Sequence, residues 1–148
     1  MPTGTVHLHR VLRTTPDKVY RAFTHGAALA KWLPPHGFIC HVHHFDGKVG
    51  GTFKMSFENF STGHRHSFGG EYVKLTPGEV VEYTDRFDDP NLPGEMRVTV
   101  KLREVSCGTD VHIEQAGIPE AIPVEACYLG WQESLFQLAS LVEPEIPN

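Results

Sequence analysis

The sequence predicts an α+β fold in which a long helix near the C-terminus covers one face of an antiparallel sheet. Two patterns lead to this prediction. From Phe38 onward, about 80 residues follow strand-like patterns and are divided by turn sequences rich in glycine and proline. The segment from Val124 to Val142 instead repeats apolar residues at helical spacing. A run of strands followed by one long helix indicates α+β rather than α/β architecture.

The N-terminal part of the chain is expected to form one strand and two short helices. Thr5 to Leu12 alternates between apolar and polar residues, as a half-buried strand does. Thr15-Pro16-Asp17 supplies an N-cap residue, a proline at the first helical position and an acid in the first turn. We expect His25-Gly26 to end this helix through a left-handed glycine cap, and a second short helix to follow from Ala27 to Trp32.

Six further strands, for about seven in all, are predicted near residues 38–45, 51–60, 66–75, 79–87, 95–105 and 109–117. The short turns between them require antiparallel pairing, because a parallel crossover needs about a dozen residues or more. In the clearest strand, Glu95 to Arg103, apolar and polar residues alternate, so we expect one face of the sheet to be exposed to solvent and the other to be covered. The helical stripe expected to cover it consists of Val124, Tyr128, Trp131, Leu135, Leu138 and Val142.

Length, charge and cysteine content narrow the class of protein. The 148 residues predict a single domain, 1–148. A net charge of −5 without a lysine- or arginine-rich run disfavours nucleic acid as a partner. No apolar stretch approaches the ~20 residues of a membrane span, and no signal-peptide core is visible, so neither is expected. Cys40, Cys107 and Cys127 fit no disulfide framework or CxxC motif, and the cytoplasm is the expected location.

The ten histidines are the first candidates for a metal site. His41, His43 and His44 stand together, and His41 and His43 share one strand face because side chains alternate. A zinc site needs three or four converging ligands, and no zinc motif completes this set. We therefore interpret these residues as histidines on the solvent-exposed face of the sheet. His7 and His9, which alternate outward in the same way, support this interpretation.

The candidates for acid–base chemistry are Glu71, Asp85 and Glu114. Asp85 follows apolar residues on its predicted strand face, so its carboxylate could point inward and have a raised pKa. The alternative is a carboxylate at the sheet rim, paired with a basic residue of a neighbouring strand. Cys40 and Cys127 are interpreted as small buried core residues rather than nucleophiles. The sequence therefore predicts no complete catalytic set.

Aromatic side chains are expected on the covered face of the sheet and on the helix that faces it. Most of them should simply fill the core. A curved sheet crossed by a single helix can nevertheless leave a void, and apolar walls with a few polar groups such as Tyr83, Asp85 and Gln115 suit a small-molecule pocket. The aromatic residues expected on or near the surface between sheet and helix are Trp32, Phe38, Phe53, Phe57, Phe68, Tyr83, Phe87 and Trp131.

Short segments in a fixed order carry a resemblance to a known family. They are Thr15 to Phe23, Lys31-Trp32, Val49 to Phe53, Gly69 to Tyr72, Glu82 to Asp85 and Gly130 to Leu135. Together they resemble the START/birch-allergen (SRPBCC) superfamily over nearly the whole chain, and within it the group similar to the heat-shock protein 90 ATPase activator. The resemblance implies the helix-grip fold, a curved antiparallel sheet wrapped around a long C-terminal helix, and a cavity between the two.

The favoured function is binding of a small hydrophobic or amphipathic molecule in this cavity. The predicted pocket residues are Trp32, Phe57, Tyr83, Asp85, Met96 and Trp131. Members of the superfamily also include cyclases, hydrolases and co-chaperone domains, so two alternatives stay open: an enzyme that uses the same cavity, and a co-chaperone-like protein-interaction domain. No cofactor and no metal is expected, while a protein partner and a homodimer are left open.

Overall fold

The computed structural model describes residues 3–148, so the first two residues of the predicted 1–148 domain lie outside the described residues. The predicted α+β fold is confirmed: a seven-stranded antiparallel sheet is accompanied by two short helices after the first strand and by one long helix near the C-terminus. Within residues 3–148, no helix has both the length and the hydropathy needed to cross a membrane.

The sheet has the strand order β1-β7-β6-β5-β4-β3-β2, and every neighbouring pair is antiparallel. Strands β2 to β7 therefore follow one another as a meander, and β1 joins the far edge beside β7. The strands are β1 (Gly4–Leu12), β2 (Phe38–Phe45), β3 (Thr52–Asn59), β4 (Arg65–Thr76), β5 (Val80–Phe87), β6 (Met96–Val105) and β7 (Gly108–Ile118).

Two short helices, α1 (Pro16–Thr24) and α2 (Gly26–Trp32), connect the two opposite edges of the sheet. The Thr15 hydroxyl accepts a 3.4 Å hydrogen bond from the Lys18 backbone amide, as an N-cap residue does. The expected left-handed glycine cap is wrong, because α1 ends on the extended residue His25, and Gly26 is the first residue of α2. Gly26 has a different role: a Cβ there would lie 3.1 Å from the Phe45 ring.

The long helix, α3 (Val124–Val142), packs against β1 and against both short helices. The second half of the predicted stripe is buried, with Leu138 fully enclosed. The first half is not as expected, since Val124 is 37% and Tyr128 40% exposed. In the first two turns of α3, Ala126 and Gly130 instead face an open space beneath the helix.

Side-chain hydrogen bonds fasten α3 to the end of α2. The Gln137 amide donates to the Trp32 and Pro34 carbonyl oxygens at 2.8 and 2.6 Å. The Ser134 hydroxyl donates to the Leu33 carbonyl oxygen at 2.6 Å. These carbonyl groups lie at and just beyond the C-terminal end of α2, where helical carbonyls lack partners within the helix, so α3 supplies the donors. The contacts hold α3 against the end of α2, which forms one side of the space beneath the first half of α3.

Candidate functional site

A cavity of about 350 Å³ lies between the concave face of the sheet and the first half of α3. Its sheet side is mostly aromatic, and its helical side is formed by small residues and one tryptophan. The sheet residues in the lining include Phe53, Phe57, Phe68, Tyr72, Tyr83 and Phe87. The α3 residues are Ala126, Cys127, Gly130, Trp131 and Ser134. Leu29, Leu33 and Pro35 close one side.

Edge-to-face ring contacts hold the aromatic wall in place. The Phe57 and Phe68 ring centroids lie 4.8 Å apart at 73°, and those of Phe53 and Tyr83 lie 5.8 Å apart at 81°. These are favourable aromatic geometries, worth roughly 0.5–1.5 kcal/mol each beyond area burial. The wall can therefore stay ordered without a tightly packed partner on its inner side.

Gly70 allows β4 and β5 to come close together beside this wall. A Cβ at Gly70 would lie 1.8 Å from the Thr84 carbonyl oxygen and 3.0 Å from the Phe53 ring. No real side chain fits that space, so this part of the sheet needs glycine for steric reasons. The close approach helps to shape the concave surface under α3.

Most polar groups in the lining already have partners within the protein. The Gln115 side-chain oxygen accepts from the Trp131 indole N–H at 2.7 Å and from the Cys127 thiol at 3.1 Å. The Tyr72 hydroxyl donates to the Phe23 carbonyl oxygen at 2.6 Å. Satisfied polar groups of this kind position the wall and leave little hydrogen-bonding capacity for a ligand.

Asp85, like Tyr83 and His66, makes no such side-chain hydrogen bond in the lining among the described residues. Its Oδ1 atom is buried and has no hydrogen-bond partner among the described residues. The neighbouring Arg86 gives it no ion pair, since the Arg86 guanidinium lies 3.7 Å from Glu95 instead. Burial raises the pKa of Asp85 to about 7, against a smaller opposite effect of the Arg86 backbone amide. The structure thus favours the inward carboxylate over the paired carboxylate at the rim.

The predicted pocket residues fall into two groups. Phe57, Tyr83, Asp85 and Trp131 line the cavity together. Trp32 and Met96 lie outside the lining and are packed in the core, with the Trp32 indole N–H donating to the Ala22 carbonyl oxygen at 2.9 Å and the Met96 sulfur accepting from Gln115 at 3.3 Å. That these residues form a ligand site stays a prediction.

Sequence reasoning missed the small residues of α3. Ala126 and Gly130 line the cavity, and a Cβ at Gly130 would meet only Pro35, at 3.8 Å. A glycine within a long helix costs roughly 1 kcal/mol relative to alanine, so it signals that something other than helix stability determines the residue. That signal is present in the sequence, but it does not say which side of the helix is empty.

The other acid–base and nucleophile candidates lie elsewhere or are suppressed. Glu71 is exposed, and Glu114 is exposed with its carboxylate 3.6 Å from His7. Burial raises the pKa of Cys40 to about 11 and also raises that of Cys127. Both thiols therefore stay protonated at neutral pH, which makes them poor nucleophiles.

The histidines of β2 do not converge. His41 contacts Glu58 at 2.8 Å, while His43 and His44 bond the Ser56 and Thr52 hydroxyls, each at 2.7 Å. The pairing of β2 with β3 shifts register between Val42 and His44, so the expected strict alternation through His43 fails. Each imidazole binds its own neighbour on β3 rather than a shared point.

A different cluster, on the face of the sheet opposite the cavity, brings together groups that could hold a metal ion. His9 on β1 pairs directly with His112 on β7, and their rings stack 4.3 Å apart. Both imidazoles contact Asp110, and one donor atom from each of the three residues lies within 4.8 Å of the others. The His9 hydrogen bond, followed by those of Arg103 and His112, lowers the pKa of Asp110 to about 2. Only the pairing of β1 with β7 reveals this cluster.

The comparisons with known proteins agree with this fold. A structure of protein CV1439 from Chromobacterium violaceum is 59% identical, with 95% of this chain and 98% of that chain covered and a TM-score of 0.94. Proteins from Rhodobacter sphaeroides and Nitrosomonas europaea share the fold at 20% and 22% identity, with TM-scores of 0.82 and 0.75. Their alignments cover 95% of both chains in the first case, and 93% of this chain and 92% of that chain in the second.

No curated protein matches the chain. A family match does exist, and it runs through the fold from the end of β1 to the end of α3. The model of the family described as "Activator of Hsp90 ATPase homolog 1-like protein" matches residues 13–143. These residues include α1, the meander and the whole of α3. The chain therefore belongs to the family of Activator of Hsp90 ATPase homolog 1-like proteins, within the helix-grip superfamily.

Proposed function

We propose that the protein binds a small hydrophobic or amphipathic molecule in the cavity between the sheet and α3. The observation that supports this is the cavity itself, about 350 Å³ with mostly apolar walls. Protein interiors are close-packed and contain few voids larger than a water molecule. Ligand sites typically begin near 300 Å³ and have apolar walls with a few polar groups.

The sequence departs from close packing at the positions that would fill this space. Gly130 and Ala126 stand on α3 where larger side chains would enter the cavity. Gly130 in particular has no steric reason to be glycine, because a Cβ would meet only Pro35. A helix that merely covered the sheet would be more stable with larger apolar residues here.

Filling the cavity from α3 tests this proposal. We expect the uncharged fluorescent probe N-phenyl-1-naphthylamine to bind the wild-type protein and to brighten in the apolar site. In Gly130→Leu the new side chain occupies the cavity, so probe binding should fall at least roughly tenfold, while a better helix former keeps the protein folded. Gln132→Leu adds the same side chain at an exposed position of the same helix and should bind like wild type.

Equal probe binding by wild type, Gly130→Leu and Gln132→Leu would place the probe outside the cavity and contradict the proposal. Loss of binding in both variants would show that a leucine on the helix surface disturbs the protein. A circular dichroism melt of each variant accompanies the titration, because a binding defect is informative only in a folded protein.

A second candidate, an enzyme that uses the same cavity, is favoured by the buried Asp85 carboxyl group. A carboxyl group with a pKa of about 7 can both take up and release a proton at neutral pH. The test is to extract whatever small molecule copurifies and return it to the emptied protein and to Asp85→Asn. Conversion by the wild type alone supports an enzyme, whereas unchanged recovery from both contradicts it.

The family description also raises a chaperone-related role, which would use an exposed surface rather than a cavity. On the outer side of α3, Leu129 and Phe136 are 59% and 58% exposed. Their spacing of seven residues places them on one helix face. These two side chains form only a small apolar surface, and the His36 ring already lies 6.2 Å from that of Phe136, so the cavity is the better supported site. We also propose a cytoplasmic location for the protein, because Cys40, Cys107 and Cys127 are free thiols that form no disulfide.

A further inference from the structure

We propose that the ligand carries a hydrogen-bond donor, a hydroxyl or amine group on an apolar body, which binds Oδ1 of Asp85. This inference rests on the proposed function and makes the ligand more specific. A carboxylate oxygen is buried in the cavity wall without a partner among the described residues. A buried unsatisfied oxygen of this kind is costly and calls for an explanation.

Among the described residues Asp85 forms no ion pair, and the imidazole of His66 is the one basic group that shares the lining with it. No lysine or arginine belongs to the lining of the cavity within residues 3–148. The nearest basic residue in sequence, Arg86, is directed to Glu95. Burial without a partner explains why the carboxyl group favours its protonated form, and a ligand donor would reverse that preference.

Several polar groups of the wall donate to other atoms of the protein. The Trp131 indole N–H and the Cys127 thiol both donate to Gln115. The Ser134 hydroxyl donates to the Leu33 carbonyl oxygen, and the Tyr72 hydroxyl donates to Phe23. The Tyr83 hydroxyl and the His66 imidazole also belong to the lining, but neither makes a hydrogen bond to Oδ1 of Asp85, so this acceptor stays open.

The surrounding wall indicates the rest of the ligand. Asp85 stands on β5 between Tyr83 and Phe87 on the same strand face, and Phe57 and Phe68 continue the aromatic surface. Flat aromatic or aliphatic groups suit such walls, because rings pack through their faces and edges. The chemical class is therefore a compact amphipathic molecule with one donor group, rather than a fatty chain without one.

A matched set of probes tests this inference. 2-Naphthol and 2-naphthylmethylamine each carry a donor, whereas 2-methoxynaphthalene has the same ring system without one. A hydrogen bond to a charged group contributes enough for roughly tenfold tighter binding or more. We expect at least one donor probe to bind the wild-type protein tighter than the ether by that factor, measured by titration calorimetry at about pH 8, where Asp85 is mostly ionised.

Two variants separate this inference from the proposed function. Asp85→Leu removes the acceptor and keeps an apolar wall, so donor probes and ether should bind it about equally. Asp88→Leu removes an exposed carboxylate just beyond β5, outside the lining, and should keep the wild-type preference.

The outcomes are distinguishable. Equal binding of all three probes to the wild-type protein leaves the cavity as a ligand site and overturns the inference about Asp85. A donor preference that survives in Asp85→Leu overturns it as well, because the donor must then bind another group. Failure of the folded wild-type protein to bind any of the probes contradicts the proposed function and this inference together.

Discussion

The two halves of the molecule use the same kind of sheet in different ways. In the aliphatic half, which comprises β1, β6, β7 and the second half of α3, branched side chains meet in a closed core. Val100 and Leu138 are fully buried there, and Val111 is 1% exposed. In the aromatic half, which comprises β3, β4, β5 and the first half of α3, rings such as those of Phe57 and Phe68 face a cavity instead.

The difference follows from the shapes of the side chains and from where α3 lies. Branched aliphatic residues interdigitate with a helix at native density, so the aliphatic half carries the packing energy. Rings that pack edge-to-face support one another sideways and can line a surface without filling the space above it. Meanwhile α3 contacts β1 directly, and its small residues Ala126 and Gly130 face the aromatic half. The closed core thereby lies in one half and the cavity in the other.

The largest expected effect on stability comes from a substitution in the aliphatic half. Leu138→Ala removes a fully buried side chain from a closed core, and we expect it to lower the free energy of unfolding by about 2–5 kcal/mol. Phe57→Leu changes a half-buried side chain that already faces open space, so it should cost less than about 1.5 kcal/mol. Urea denaturation of both variants measures the contrast, and equal losses would show that the two halves are packed alike.

The second prediction concerns Asp85, which lies in the aromatic half. Asp85→Leu removes a buried, unsatisfied carboxyl group and should raise the free energy of unfolding by roughly 1–3 kcal/mol near neutral pH. Because the folded-state pKa of Asp85 is about 7, above the ordinary value of 3.8, wild-type stability falls as pH rises between these values.

The gain from Asp85→Leu should therefore be larger at about pH 8 than at about pH 5, where the folded wild type is mostly protonated. Urea denaturation at the two pH values checks this, with wild type measured alongside. A gain that is independent of pH would mean that the carboxyl group titrates normally, and a loss would mean that it has a partner in the folded protein.

The smallest expected effect on stability comes from a substitution on the outer face of the sheet in the aliphatic half. Asp110→Asn removes the carboxylate that accepts hydrogen bonds from His9, Arg103 and His112. The pKa of Asp110 is lowered to about 2 in the folded protein, so its stabilisation is present above a pH of about 4 and is lost as pH falls through about 2. We expect the variant to melt below wild type at neutral pH.

Thermal melts from about pH 5 down to about pH 2 test this prediction, because the difference in Tm between the variant and wild type should shrink as the pH falls through this range. Glu114→Gln, which removes an exposed carboxylate from the same strand, serves as the control and should change Tm less. A constant difference across this range would show that hydrogen-bond geometry rather than charge connects these side chains.

The sequence was informative about the fold because each element has its own local signal. Alternation from Met96 to Leu102 and the N-cap at Thr15 predicted elements that the structure confirms. The glycine at position 26 was misjudged because its role is to make room for Phe45, a strand residue far along the chain. Sequence patterns report the periodicity of an element but not the close approach of another element.

The site was less predictable for a related reason. An aromatic residue has the same pattern whether it fills a core or lines a cavity, so Trp32 and Trp131 could not be told apart from the sequence. The inward position of Asp85 was accessible from strand alternation, but the absence of a described partner depends on where Arg86 points. The contact of His9 with His112 likewise requires the pairing of the first and last strands.

The two tryptophans of the chain allow the central claim to be tested in one spectrum. Trp131 lines the cavity, and its indole N–H donates to Gln115, whereas Trp32 is fully buried outside the lining. We would titrate ¹⁵N-labelled protein with 2-naphthol, follow both indole N–H signals, and assign them with Trp131→Phe. A progressive, saturable shift of the Trp131 signal with a stationary Trp32 signal is the predicted result. Two stationary signals, or equal shifts of both, would contradict a ligand site between the sheet and α3.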